Sequence, residues 1–140
     1  MKEIRTYSAS LDNLDAIAAD VERFCAANGI DGGTCFDISL CIDEIFTNIV
    51  CYGYGNDKSR KIEVWLENTG GAAQITMRDS APKFDPLTDA PEPDLCNGIE
   101  ERNIGGLGVH FIKKKMDEVK YARRDNVNEL VMSKRLKGVP

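Results

Sequence analysis

The sequence predicts an α+β fold, a two-layer α/β sandwich with its helices on one face of a mostly antiparallel mixed sheet. Two early segments repeat apolar residues at three- and four-residue spacing, as helices do, whereas later segments alternate apolar and polar residues, as strands do. The order β-α-α-β-β-lid-α-β-β separates helices from hairpins and favours helices layered on a sheet. The 140 residues suit one domain, 1–140.

The first half of the chain predicts a strand and two helices. Residues 3–8 alternate weakly and predict an edge strand, and Ser10 offers a side-chain oxygen to cap the helix that follows. In the second helix, Thr34 begins a capping-box pattern, and apolar spacing continues to about Tyr52. Both helices have an apolar face that should pack on the sheet.

The second half predicts two hairpins on either side of a long connection. Ile62–Leu66 and Ala73–Met77 alternate with polar residues, and Asn68–Gly71 reads as the turn between them. Periodicity then disappears, and a connection this long in so small a domain predicts a flexible lid at about 86–104. The remaining elements are predicted as a helix over 109–116 and strands over 119–123 and 129–136, joined at Asp125-Asn126.

Composition narrows the function classes. The formal charge of −5 disfavours nucleic-acid binding, which depends on clustered basic residues. The single histidine, His110, leaves little material for a zinc cluster or a Ser-His or Cys-His nucleophile system. The five cysteines form no C-x-x-C pair, which indicates buried free thiols. No segment resembles a signal peptide or a membrane span, so we expect a cytoplasmic protein without membrane contact.

A polar pair interrupts the apolar face of the second helix. Glu44 and Asn48 are four residues apart and therefore share one helical face. An amide oxygen is a fair magnesium ligand, and a half-buried glutamate one turn away can act as a general base. For an isolated pair, however, the simpler interpretation is a glutamate that caps a backbone group or faces water.

Two further features break the pattern. Asp79 has the strand parity of Ile75 and Met77, so its carboxylate should point from the strand end onto the core face, where it could accept a hydrogen bond from the amino group of adenine. A turn-initiating aspartate is at least as good an interpretation. Gly105-Gly106-Leu107-Gly108 precedes a helix and could expose backbone N–H groups to phosphate, although glycines also serve as simple turns.

In order and spacing, the three features resemble the N, G1 and G2 boxes of the Bergerat-fold ATPases, which include gyrase and histidine-kinase ATPase domains. Glu44 to Asn48 is similar to the N-box E-x-x-x-N, 79–86 to the D-x-G-x-x-F-D-P form of G1, and 104–109 to G2. The resemblance runs from about Tyr7 to Leu136. The F-D-P ending, the short lid and Arg102 before the glycines resemble the anti-sigma-factor serine kinases within this superfamily.

The resemblance implies ATP and Mg²⁺ as cofactors and a serine on a STAS-type anti-sigma-factor antagonist as substrate, with a sigma factor and a second copy of the chain as further partners. It implies Glu44 as the catalytic base and Asn48 as the magnesium ligand. The implied nucleotide-binding set is Asn48, Asp79, Ala81, Phe84, Arg102, Gly105, Gly106, Leu107 and Gly108.

Three positions differ from the family pattern: Tyr52, Ala81 and Lys83 stand where relatives often have histidine, glycine and glycine. Three other interpretations remain open. The domain could bind ATP as an anti-sigma module without catalysis, form the core of a sensor histidine kinase, or act as an interaction domain without a ligand. The histidine-kinase interpretation lacks a preceding pair of dimerisation helices and an apparent phospho-accepting histidine.

Overall fold

Five strands form a single sheet with the order β1-β2-β3-β5-β4. The computed structural model describes residues 2–85 and 112–136. The strands are β1 (Lys2–Ser8), β2 (Lys61–Asn68), β3 (Ala72–Asp79), β4 (Glu118–Arg124) and β5 (Val127–Arg135). Each of the four pairings among these strands is antiparallel, where the sequence predicted a mostly antiparallel mixed sheet.

The helices pack together on one face of this sheet. A 3-10 turn (Leu11–Asn13) leads into α1 (Leu14–Ala27), and α2 (Gly32–Asn48) continues into a π-helical turn (Ile49–Gly53). A further helical turn at 112–115 precedes β4. The two-layer α+β sandwich predicted from the sequence is confirmed.

The apolar core lies between the helices and the sheet. Alternate residues of β2 and β3 face it, and the buried side chains of α1 and α2 fill it from the other side. Strand members of the core are Ile62, Val64, Leu66, Ala73, Ile75, Met77, Leu130 and Met132, and helix members include Ile17, Val21, Phe24, Ile38, Ile42, Ile45 and Phe46. Burial of this surface is what holds α2, and the polar pair it carries, against the sheet.

The caps of the helices were predicted in part. Ser10 Oγ accepts from the backbone N–H of Asp12 and so caps the 3-10 turn that begins the first helical segment. The capping box at Thr34 is wrong: Asp31 is the N-cap, and its carboxylate accepts from both the backbone N–H and the hydroxyl of Thr34. An ionised carboxylate is the stronger acceptor, so α2 begins three residues earlier than a cap at Thr34 predicts.

Both predicted hairpin turns are present. Thr69 N donates to Ala72 O across the β2–β3 turn, and Gly70 has the positive φ that this turn requires. Asp125 and Asn126 both have positive φ, the pattern of a type I′ turn, which matches the twist of the flanking strands.

The cysteines are reduced where the structure describes them. Cys25 and Cys41 are buried, as predicted, while Cys35 and Cys51 are only partly buried, and Cys96 lies outside the described residues. Among residues 2–85 and 112–136, no helix is long and apolar enough to span a bilayer.

Candidate functional site

Asn48 ends α2 with its amide fully buried. Its side chain is 0% exposed, and neither Oδ1 nor Nδ2 has a hydrogen-bond partner among residues 2–85 and 112–136. One turn earlier, Glu44 Oε2 is also buried and has no partner in the described part of the chain. A buried polar group left unpaired costs about 1–3 kcal/mol. Two such groups on one helical face make this face a candidate ligand site.

The Glu44 carboxyl has an unusual protonation equilibrium. Burial raises its pKa to about 7, and the negative charge of the adjacent Asp43 contributes to the rise. Burial also raises the pKa of Asp43 to about 6, with a contribution from the charge of Asp15 on α1. A carboxylate with a pKa near neutral pH can both accept and release a proton under physiological conditions, which is the property of a general base.

The same pKa shift makes the stability of the protein depend on pH. Because the folded-state pKa of Glu44 lies above its ordinary value of 4.5, the folded state binds the proton more tightly. The resulting stabilisation is fully present below pH 4.5 and is lost as the pH rises through about 7. We expect Glu44→Gln to gain on the order of 1–2 kcal/mol over the wild type at pH 8, after allowance for solvent screening, and much less at pH 4.5. Thermal unfolding of both proteins at the two pH values measures the difference, and an equal gain at both would contradict it.

A π-helical turn links α2 to the loop after β3. Tyr54 N donates to Ile49 O at 2.7 Å, a five-residue step that widens the helix directly after Asn48. Gly53 then lies so close to this loop that an added Cβ would be 3.4 Å from the Phe84 ring and 3.5 Å from the Ala81 methyl. The helix that carries Glu44 and Asn48 therefore ends against residues 81–84, which belong to the segment that resembles G1.

Asp79 is the last residue of β3 and points onto the core face, as its strand parity predicts. It is 5% exposed. Its Oδ1 accepts from Ala81 N at 3.0 Å and from Asn128 Nδ2 at 2.9 Å. Burial raises the pKa of the Asp79 carboxyl, while the two hydrogen bonds and then the charges of Arg123 and Arg60 oppose the rise. Within the described residues no hydrogen bond engages Oδ2, so this oxygen can accept from a ligand.

The loop after Asp79 is fixed at several backbone atoms. Tyr54 OH accepts from Ser80 N at 2.7 Å, and Arg60 donates to Ser80 O at 3.0 Å. Arg123 donates to Ala81 O at 3.1 Å. Two of the predicted nucleotide-binding residues, Ala81 and Phe84, are buried in this loop at 0% and 7% exposure.

Alanine fits at position 81 although the family pattern has glycine. Among the described residues, positive φ in a non-glycine residue occurs only at Asn56, Asp125 and Asn126, so the backbone of Ala81 is open to any L-residue. Its methyl group packs against Gly53, where the absence of a side chain leaves room for it. The departure at Ala81 therefore introduces no backbone strain.

Asn128 is a site residue that the sequence reasoning missed. Asn128 lies on β5, and the register places it opposite Asp79 of β3 and opposite Arg123 of β4. It is 2% exposed, and it shares the strand parity of the core residues Leu130 and Met132. A polar residue at a core position of a strand is the same signal that drew attention to Asp79, so parity could have identified it.

The remaining predicted residues cannot be placed. Arg102, Gly105, Gly106, Leu107 and Gly108 lie outside the described residues, as does the lid predicted at 86–104. Among the described residues, no group of three or more His, Cys, Asp or Glu side chains could hold a metal ion. Asn48 Oδ1, which has no hydrogen-bond partner among these residues, nevertheless fits Mg²⁺, which usually takes few protein ligands and completes its shell with water and substrate phosphates.

Comparison with known proteins agrees with this geometry. A family model described as a histidine kinase-like ATPase domain matches residues 7–134. The chain is 29% identical to the serine/threonine-protein kinase BtrW of Bordetella bronchiseptica over 98 residues, 70% of this chain and 68% of that protein. It is 26% identical to an anti-sigma F factor of Clostridium perfringens over 101 residues, 71% of each chain.

A solved structure supports the fold. The RsbU and RsbW domains of a Mycobacterium tuberculosis protein superpose with a TM-score of 0.69 at 17% identity, over 97% of this chain. This chain spans only 32% of that longer polypeptide.

Proposed function

The chain belongs to the histidine kinase-like ATPase family, and on that premise we propose that it is an ATP-dependent serine protein kinase and anti-sigma factor. It phosphorylates a serine of a STAS-type anti-sigma-factor antagonist and sequesters a sigma factor in the cytoplasm. The observation that carries the proposal is the buried Glu44–Asn48 pair, unpaired among the described residues, on a helix that ends against the Asp79 loop. Relatives named as a serine/threonine kinase and as an anti-sigma factor support both parts.

Each described residue of the site has a distinct role. Asp79 Oδ2 accepts from the adenine amino group, while Ala81 and Phe84 line the base. Asn48 Oδ1 would hold the Mg²⁺ that accompanies ATP, and the metal would supply charge neutralisation at the phosphates. By the sequence resemblance, residues 105–108 and Arg102, which lie outside the described residues, would bind the phosphates.

In the transfer step Glu44 acts as the general base for the substrate serine. Its carboxylate accepts the proton of the substrate serine hydroxyl as the serine oxygen forms a bond to the γ-phosphorus. The bond from that phosphorus to the β–γ bridging oxygen breaks, and its electron pair leaves with ADP. Phosphoserine, ADP and a protonated Glu44 result, and Glu44 then releases its proton to solvent, as a pKa of about 7 permits.

The proposal is tested by single-turnover transfer from γ-labelled ATP to a STAS-domain protein that has been shown to bind this chain. Label should appear on a serine of that protein only when Mg²⁺ is present. If ATP binds but no label is transferred to an antagonist shown to bind the chain, the domain is a non-catalytic nucleotide-dependent switch. If Mg-ATP does not bind, the nucleotide site itself is wrong.

We predict that Asn48→Ala weakens binding of Mg-ATP at least about 10-fold, because it removes the proposed protein ligand of the metal. The fold should survive, since the amide that is lost has no hydrogen-bond partner among the described residues. Calorimetric titration with Mg-ATP measures the affinity with the metal, and titration with ATP in the presence of a chelator measures the affinity without it. In the chelator the mutant and the wild type should bind alike. Equal affinity for Mg-ATP would remove Asn48 as the metal ligand.

A sigma factor and a second copy of the chain are the further partners of this function. Sedimentation of the chain alone, and then with the candidate sigma factor and Mg-ATP, tests both. We expect a homodimer that binds the sigma factor only when the antagonist is phosphorylated or absent.

A further inference from the structure

The side chain of Asn128 is the centre of a buried hydrogen-bond cluster at the end of the sheet. Its Nδ2 donates to Asp79 Oδ1 at 2.9 Å, to Ala81 O at 3.2 Å and to Pro82 O at 3.3 Å. Its Oδ1 accepts from Arg123 Nη1 at 2.9 Å, from the Tyr121 hydroxyl and from Phe84 N at 3.4 Å. One amide therefore contacts both the proposed adenine acceptor and the loop that lines the base.

The orientation of this amide is determined by its neighbours. An arginine side chain has only donors, so the atom of Asn128 that faces Arg123 must be the oxygen. The nitrogen is thereby turned toward Asp79 and the two loop carbonyls, all of which are acceptors. The alternative orientation would place oxygen against oxygen at three contacts and nitrogen against the donor groups.

This arrangement defines what Asp79 offers to a ligand. Asn128 Nδ2 and Ala81 N occupy Oδ1, and both are donors, which favours an acceptor oxygen there. The carboxylate cannot rotate without losing both bonds. Oδ2 is left as an acceptor in a fixed position, which suits an amino group on the base and not a carbonyl oxygen.

We propose that Asn128, oriented by Arg123 and Tyr121, is a positioning residue that sets the preference of the site for adenine over guanine. The inference rests on the proposed nucleotide-binding function and goes beyond it, because it assigns base selectivity to a residue that touches the nucleotide only through Asp79 and the 81–84 loop. A purely structural role would change the affinity for ATP and for GTP by the same factor.

Asn128→Asp tests the proposal with a nearly isosteric change. At pH 8 the introduced carboxylate faces that of Asp79 and has no proton to donate, so the affinity for ATP should fall at least about 10-fold. At pH 5.5 the two carboxyls can share a proton, which restores a donor between them, and the affinity should return to within about threefold of the wild type. Protonation of Asp79 in the wild type would lower the ATP affinity as the pH falls, whereas the ATP affinity of Asn128→Asp should rise.

A neighbouring residue on the same strand provides the control. Glu129 pairs with Arg78 on the opposite face of the sheet, so Glu129→Gln alters charge one residue away without touching the cluster. Its ATP affinity should follow the wild type at both pH values. Equal ATP affinity of Asn128→Asp and wild type at pH 8 would overturn the proposal.

A second pair of variants covers the case in which Asn128→Asp does not fold at pH 8. In Asn128→Thr and Asn128→Val the two introduced side chains have the same shape as each other. Only threonine has a hydroxyl, which can donate to Asp79. The ratio of ATP to GTP affinity should stay within about threefold of the wild type in the first and fall about 10-fold in the second. Equal ratios in both would contradict the proposal.

The two hypotheses fail in different ways. A wild type that binds neither ATP nor GTP contradicts the proposed function itself. A wild type that prefers ATP, with variants of Asn128 that keep the same preference at every pH, contradicts only the role assigned to Asn128.

Discussion

Glu44→Gln is expected to bind Mg-ATP and the antagonist nearly as the wild type does, while serine phosphorylation slows at least about 100-fold. Glutamine keeps the size and the hydrogen-bonding capacity of glutamate but cannot accept the serine proton. The Oε2 atom of Glu44 is buried without a partner among the described residues, so no native hydrogen bond to it is lost. A time course of antagonist phosphorylation at saturating ATP, with a nucleotide titration of each protein, measures the two effects.

The pH dependence of the same reaction identifies the base. Because the pKa of Glu44 is about 7, the wild-type kcat/KM should rise with pH and reach half its plateau near pH 7. Below that pH the carboxyl is protonated and cannot act as a base. The residual activity of Glu44→Gln should show no such step.

Asp43→Asn is the matched control for this variant. Asp43 is the adjacent acid, also has a buried oxygen without a partner among the described residues, and also has a raised pKa, but it lies on a different face of α2. Its removal should preserve the plateau rate and move the midpoint of the pH profile slightly downward, since its charge helps to raise the pKa of Glu44. A rate for Glu44→Gln equal to the wild type, or an equal loss in Asp43→Asn, would remove Glu44 as the base.

The parts of the fold that were predictable from sequence are those determined by local chemistry. Strand alternation placed Ile75 and Met77 on the core face and carried Asp79 with them, and Asp125-Asn126 adopts the positive φ values that favour these residues in a tight turn. The start of α2 was misplaced because Asp31 and Thr34 are both good caps, and only the coordinates show that the carboxylate of Asp31 accepts from Thr34.

The parts of the site that were not predictable depend on contacts between distant segments. The sequence could place Glu44 and Asn48 on one helical face, but not show that their buried atoms have no partner among the described residues. The π-helical turn after Asn48 ends at Gly53, which packs against Ala81 and Phe84, about thirty residues away in the sequence. Strand parity could have placed Asn128 on the core face, but the sequence does not show its hydrogen bond to Asp79, which joins residues 49 positions apart.

Asp79→Asn is expected to reverse the base preference of the site. The two donors at Oδ1, Ala81 N and Asn128 Nδ2, would hold the oxygen of the new amide and turn its NH₂ group toward the base. A donor at that position opposes the amino group of adenine and matches the carbonyl oxygen of guanine. An unpaired or opposed buried group costs about 2–3 kcal/mol, so ATP affinity should fall about 30- to 100-fold while GTP affinity holds or improves.

Asp57→Asn is the control for that reversal, because it makes the same chemical change in the same local motif. Asp57 Oδ1 accepts from Ser59 N two residues later at 3.0 Å, as Asp79 Oδ1 does from Ala81 N, but Asp57 is exposed. Calorimetric titration of both variants with the magnesium complexes of ADP and GDP avoids turnover during the measurement. Asp57→Asn should keep the wild-type preference for the adenine nucleotide. If Asp79→Asn keeps it as well, Asp79 does not recognise the base, and the acceptor for the amino group of adenine must lie elsewhere in the chain.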